Sequence, residues 1–172
     1  MLFRSSIRIG TTEAMLHHGG FDLKRPATAI GAQMSHRYVV AVTLLDGSPS
    51  VPQFAPTRIN RDDVWDLIAR IDTYQDREID ARGEDGRWGT RLHVSFTDGS
   101  SELIEVTHPK GGARFPMSDA DIVAKYDRLA ALVMPPPQAA ALKAMVLGLE
   151  ELKDIGELSA LLATDVHSPF AD

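Results

Sequence analysis

The side chains best suited to holding an anion fall in two places. His108, Lys110 and Arg114 flank Gly111-Gly112. Such a loop can offer cations and backbone N–H groups to a carboxylate. It is equally what a solvated loop after a hairpin looks like, with Pro109 and the glycines fixing its shape. Gln33, Ser35, His36 and Arg37 open a strongly apolar segment, and groups at a helix N-terminus can hold an anion. The plain alternative there is a Ser35 cap with His36 and Arg37 as exposed neighbours. Gln33, His36, Arg37, His108, Lys110 and Arg114 are the candidate substrate-binding residues; no catalytic residue is identified.

Other pairings carry less. His17-His18 invites a metal reading, but adjacent helical residues point apart, and no His-Glu-x-x-His spacing supports them. No metal or other cofactor is expected. Lys24-Arg25 before Pro26 could steer an acidic substrate, although a lone basic pair is ordinarily just solvated. Ser48 and Ser50 sit in a proline-rich stretch without the Gly-x-Ser-x-Gly context of a hydrolase nucleophile. The absence of cysteine excludes disulfides, thiolate metal sites and a Cys nucleophile. A self-sufficient small enzyme would have to use His108 and Lys110 as acid and base, the weakest of the functional readings.

Composition narrows the partners. The 172 residues carry a formal charge of −6, distributed as +3 over residues 1–60 and −9 over the remainder. An acidic chain without a basic stripe is a poor nucleic-acid binder, so any anionic ligand falls to a few local cations near the N-terminal third. The longest apolar stretch, Tyr38–Leu45, is far short of the ~20 residues that span a bilayer. No nucleic acid, no membrane and a cytoplasmic location are the expectations.

These residues need elements to place them. Phe3, Ser5, Ile7 and Ile9 alternate with Arg4, Ser6 and Arg8, the period of a strand with one buried face; a strand so near Met1 suggests a chain that starts inside a larger fold. Thr11 or Thr12 can cap a short helix through Met15 and Leu16, which Gly19-Gly20 ends. Residues 30–45 are apolar almost all round up to Asp46-Gly47, which predicts one buried helix, with a strand over 38–45 as the alternative. Residues 48–57 hold three prolines and read as an extended loop. Asn60 can cap a helix with the stripe Val64, Leu67, Ile68 and Ile71. Asp98-Gly99 between two alternating runs is a hairpin signal. Ser118 caps a helix bearing Ile122, Tyr126, Leu129 and Val133. The Pro135–Pro137 run then breaks the chain ahead of two short amphipathic helices and a loose tail from Thr164. The fold class is α+β: a sheet containing an antiparallel hairpin, packed by helices and followed by short C-terminal helices.

Three stretches together resemble the MmgE/PrpD family of 2-methylcitrate dehydratase and cis-aconitate decarboxylase lyases. They are Ala32–Gly47, ending in Leu44-Leu45-Asp46-Gly47; Phe54 with Ile59-Asn60-Arg61 and the following helix; and Val94-x-Phe96-x-Asp98-Gly99, His108-Pro109-Lys110-Gly111, Pro116–Asp119 and Lys125-Tyr126. Leu149–Asp154 is also of the family's type. Order and spacing over residues 2–162 carry the match. The resemblance implies an α+β lid domain at residues 1–134, the returning helices of a helical domain at 135–163 and a tail at 164–172. It implies chemistry on di- and tricarboxylates, by proton removal with loss of water or carbon dioxide, in the setting of propionate metabolism. It places most catalytic residues in an N-terminal helical domain outside this chain. A lid position that is Tyr in the decarboxylase branch falls on Ala14, so that contribution too is gone. The expected partner is therefore a helical-domain chain, or a second copy in a homo-oligomer, with a small carboxylate bound only in the complete enzyme. The rival expectation is a non-enzymatic interaction or dimerisation module derived from the lid.

Overall fold

The computed structural model describes residues 4–170, with Arg4 described by its backbone only. Phe3, in the expected first strand, lies outside the described residues. The chain divides into two compact units, Met1–Pro116 and Met117–Asp172.

The first unit is built on a four-stranded mixed sheet in the order β2-β1-β3-β4. Its strands are β1 (Arg4–Thr11), β2 (Ile71–Gln75), β3 (Thr90–Phe96) and β4 (Ser101–Val106). β1 runs parallel to β2, with Ile7 opposite Ile71, and antiparallel to β3, with Ile7 opposite Val94. The alternation in β1 holds from Ser6 to Ile9, where Ile7 and Ile9 are buried and Ser6 and Arg8 exposed; Ser5, expected on the buried face, is exposed, at the register irregularity between Arg4 and Ser6. The face of Ile7 and Ile9 joins Ile71 and Val94 to Tyr38, Ala41, Val42, Ile59, Val64 and Ile68 in one core. Each fully buried aliphatic side chain there contributes about 1.5–3 kcal/mol.

Between β1 and β2 lie the helices α1 (Glu13–Gly19), α2 (Ala29–Gln33), α3 (His36–Asp46), α4 (Pro56–Ile59) and α5 (Asp62–Ile68). As expected, Thr12 caps α1, accepting from the Met15 N–H at 3.3 Å. α3 is the central helix. Ser35 caps it, and Gly47 closes it with φ of 82°, a left-handed conformation that a side chain would strain. Arg58 of α4 binds both carboxylate oxygens of Asp46 (2.8 and 2.6 Å) and reaches Asp63 at 2.9 Å. This pairing holds the Asp46 carboxyl below the usual range. The Leu44-Leu45-Asp46-Gly47 segment thus has a structural job: Leu44 packs against the core, Asp46 receives Arg58 and Gly47 ends the helix.

Several local expectations are corrected. The single helix over 30–45 is two, because Ser35 is extended, buried and paired with Gly20, so its backbone cannot continue α2. The strand alternative for 38–45 does not occur. The proline-rich loop contains a short 3-10 turn at Val51–Phe54 and then α4, whose Pro56 occupies the first helical turn, where its missing N–H costs nothing. Asn60 does not cap α5; Arg61 occupies the cap without a side-chain bond. Ile71 belongs to β2, not to the α5 stripe. The Ile7 N–H bonds the Arg70 carbonyl at 2.8 Å, so the chain turns straight from α5 into the sheet.

A short helix α6 (Arg77–Asp80) leads through a glycine-rich turn to the hairpin. The β3–β4 turn places Gly99 at φ of 87°, as Asp-Gly predicts, and Asp98 accepts bonds from the N–H and hydroxyl of Ser100. β4 is the sheet edge and all six of its residues are exposed.

The second unit holds α7 (Asp119–Ala130), α8 (Pro136–Leu147) and α9 (Ile155–Leu162). Ser118 and Asp121 form a full capping box on α7. α7 and α8 are joined by the Tyr126 hydroxyl donating to the Ala139 carbonyl at 2.8 Å and by Lys143 to Asp127 at 2.7 Å. Pro135 occupies the cap position of α8 and Pro136 starts it, so the proline run begins a helix, while α7 has already ended at Ala130. Among the described residues, no helix is long and apolar enough to cross a membrane.

Replacing Arg58 by Met leaves Asp46 and Asp63 facing an apolar side chain. We expect a loss of about 2 kcal/mol in urea unfolding, the scale of hydrogen bonds to charged groups. The sign of the pH effect follows from the lowered Asp46 carboxyl: its contribution is present above the ordinary 3.8 and is lost as pH falls through its lower folded value. Arg58→Met should therefore flatten the acid limb of the wild-type stability profile, measured as the urea midpoint against pH.

Candidate functional site

The residues at the start of α3 form the first candidate surface. Gln33 ends α2 and is exposed. His36 is the first residue of α3 and Arg37 the second. Arg37 stands 3.5 Å from Asp22 and 4.0 Å from Asp72, so its charge is shared with two carboxylates. His36 turns inward: its Nδ1 is buried with no hydrogen-bond partner. Burial first, and His18 second, lower its affinity for a proton. The ring lies against Gly19, where an added Cβ would come within 2.3 Å of Nε2. His36 therefore has a packing task as a neutral ring, whereas Gln33 and Arg37 remain accessible to a ligand.

The second candidate surface is the loop after β4. The Gly111 N–H bonds the Phe115 carbonyl at 2.7 Å, and Gly112 bridges to Phe115. Gly111 has φ of 97°, the conformation that makes the turn possible. The loop is thus folded on itself, with its backbone groups partly spent inside it. His108 is half-buried and Lys110 exposed. Arg114 pairs with Asp85 at 2.5 Å, which ties this loop to the turn before β3. Arg37 and Arg114 thus face different carboxylates: Asp22 and Asp72 for Arg37, Asp85 for Arg114.

His17 and His18 lie side by side at the end of α1, and His17 stands 4.0 Å from Glu13. Among the described residues, no group of three or more His, Asp or Glu side chains could hold a metal ion. Lys24-Arg25 precedes a cis Arg25–Pro26 bond. Arg25 binds Asp62 at 2.6 Å and donates to the Asn60 carbonyl.

Two polar clusters escaped the sequence reading. Asn60 takes up the backbone of Ala27: its Oδ1 accepts the Ala27 N–H at 2.9 Å and its Nδ2 donates to the Ala27 carbonyl at 3.2 Å. A signal was present, since Asn60 lies inside the Ile59-Asn60-Arg61 segment, but its partner is 33 residues away. The second cluster surrounds Arg91, which binds Asp76 (2.8 Å), Glu78 (3.1 Å) and Glu105 (2.8 Å). Asp76 is only 5% exposed and also caps α6. Arg82 joins Glu105 at 2.6 Å, and the two guanidinium groups hold the Glu105 carboxyl down at about 2. With every cation in it matched to a carboxylate, this cluster fastens the end of the sheet.

A mixed sheet with one face covered by helices, followed along the chain by a helical unit, defines an α+β fold. The chain belongs to the MmgE/PrpD family: the model of the MmgE/PrpD C-terminal domain matches residues 5–151. It is 35% identical over 162 residues to a cis-aconitate decarboxylase of Aspergillus terreus, covering 93% of this chain and 33% of that protein. It is 32% identical over 161 residues to the cis-aconitate decarboxylase-like protein oryM of Aspergillus oryzae, again 93% of this chain and 33% of that protein. Human cis-aconitate decarboxylase is 28% identical over 137 residues, 80% of this chain and 28% of that protein. The chain spans about a third of the length of the curated relatives it matches.

Asn60→Ala should free both backbone groups of Ala27. We expect a loss of about 1–2 kcal/mol, together with faster amide exchange confined to residues 25–28 and measured by mass spectrometry.

Proposed function

We propose that this chain supplies the C-terminal portion of an MmgE/PrpD-type lyase acting on a di- or tricarboxylate. In this reading residues 1–134 serve as the lid and residues 135–163 as helices that return to the helical domain. The observation that supports it is the agreement with decarboxylases over nearly the whole of this chain, confined to one third of their length. Arg37, Gln33, Lys110, His108 and Arg114 are the groups on this portion that would meet a substrate carboxylate, with His36 as their support. The reaction is deprotonation with loss of carbon dioxide from cis-aconitate, or of water from 2-methylcitrate. Its acid and base come from the part of such a lyase that corresponds to the preceding two thirds of the decarboxylases.

The test is turnover. The purified chain should release no carbon dioxide from cis-aconitate and no water from 2-methylcitrate. Mixed with a protein carrying the preceding two thirds of an Aspergillus-type decarboxylase, it should form a one-to-one complex that turns over one of the two. Turnover by the chain alone would sink the proposal, as would a stable complex inert toward both.

A second reading, an interaction module, draws on the apolar groove of about 220 Å³ in the helical unit, lined by Ile122, Tyr126, Leu142, Val146, Leu147 and Leu162. Exposed apolar surface of this kind marks interaction sites. Light scattering separates the two: a self-contained homodimer that ignores the helical domain would favour the module.

A further inference from the structure

We propose that the contact of His36 with Gly19 is an acid-released latch holding the C-terminal end of α1 against the start of α3. The geometry is specific. Three atoms of the imidazole, Nε2, Cδ2 and Cε1, lie within 3.0 Å of the position a Cβ on Gly19 would occupy. Glycine is therefore what lets the ring close on the backbone. The adjoining residues, Gly20 and Ser35, form a backbone bridge that completes the joint. Gly19 is the one buried residue of α1. The other end of the helix is fixed independently: the Glu13 N–H bonds the Asp80 carboxylate at 3.2 Å, and the Thr12 hydroxyl donates to the Arg87 carbonyl at 3.4 Å. α1 is thus hinged at Thr12 and latched at Gly19.

The latch is built for a neutral ring. Nδ1 is buried without a hydrogen-bond partner, so a proton placed there gains no acceptor and loses its hydration. His36 is the first residue of α3, at the positive end of the helix dipole. The charged groups around it add no compensation. α1 presents His18, itself a potential cation. α2 carries no charged residue. Asp22 from the loop after α1 and Asp72 from β2 face Arg37. Acidification therefore places charge on His36 at a contact where its Nδ1 is desolvated and finds no acceptor. Since burial and His18 lower the proton affinity of His36 below its ordinary 6.5, the sign is fixed. The closed contact is fully favoured above 6.5 and weakens as pH falls from there through the lower folded value.

The latch uses only contacts within the sheet-bearing unit, so it is tested apart from any lyase activity. Amide exchange of the whole chain would be followed by mass spectrometry at about pH 7.5 and about pH 5.5, either side of the ordinary histidine value, with correction for the intrinsic pH dependence of exchange. We expect protection of residues 14–22 to fall about tenfold at the lower pH, as local opening allows, while β1 is unchanged. His36→Phe keeps the ring and removes the charge, and should abolish that fall. Equal wild-type protection at both values, or the same fall in His36→Phe, would overturn the proposal. Should His36→Phe not fold, the wild-type imidazole titration by NMR decides: a His36 midpoint below that of exposed His17 supports the latch, and one at or above it removes its basis.

Discussion

The sheet has only one face to bury, and nearly everything in the first unit answers to that constraint. β1 is the central strand, hydrogen-bonded on both sides, and its Ile7 and Ile9 are inaccessible. They must be covered by something apolar on the side away from Ser6 and Arg8. α3 does this with Tyr38, Ala41 and Val42, and α5 adds Val64 and Ile68. The rest of the unit can be read as a means of keeping α3 at that position: Ser35 starts it, Gly47 ends it, and Arg58 grips its last carboxylate from the neighbouring helix.

Polar groups in this domain work mainly as fasteners. Asn60 secures the loop backbone at Ala27, Asp76 and Arg91 tie β2, α6 and β3 together, and Asp98 shapes the hairpin turn. Each is matched closely enough that little charge is left over for a ligand within the sheet itself. The candidate cations stand outside the sheet: Arg37 at the start of α3, near Asp22 and Asp72, and Arg114 on the loop after β4, paired with Asp85.

The two units differ in how well they are covered. The sheet-bearing unit contains a continuous core. The helical unit buries Ala130 and Leu142 but leaves Ile122, Val146, Leu147, Ile155 and Leu162 about half or more exposed. Helices with apolar faces of this extent are stabilised by tertiary packing more than by propensity, which is why the second unit is the one whose behaviour most depends on what surrounds it.

The sequence by itself determined the elements whose signals are local. Alternation set β1 and the hairpin, Asp-Gly set the turn, and Thr12 and Ser118 set two helix starts, because a cap needs only a hydroxyl and the amide three residues on. It also determined the family, since the order of its short segments survives in the chain. Tertiary structure decided the rest. The break at Ser35 arises from pairing with Gly20, fifteen positions earlier. β2 was hidden because Ile71 continues the α5 period as well as it starts a strand, and only β1 alongside it settles the choice. Asn60 has the residue type of a cap but a long-range backbone partner. His36 has the residue type of a ligand, yet is turned against Gly19, because whether an imidazole meets solvent or a neighbouring helix depends on where that helix lies, and no local pattern encodes it.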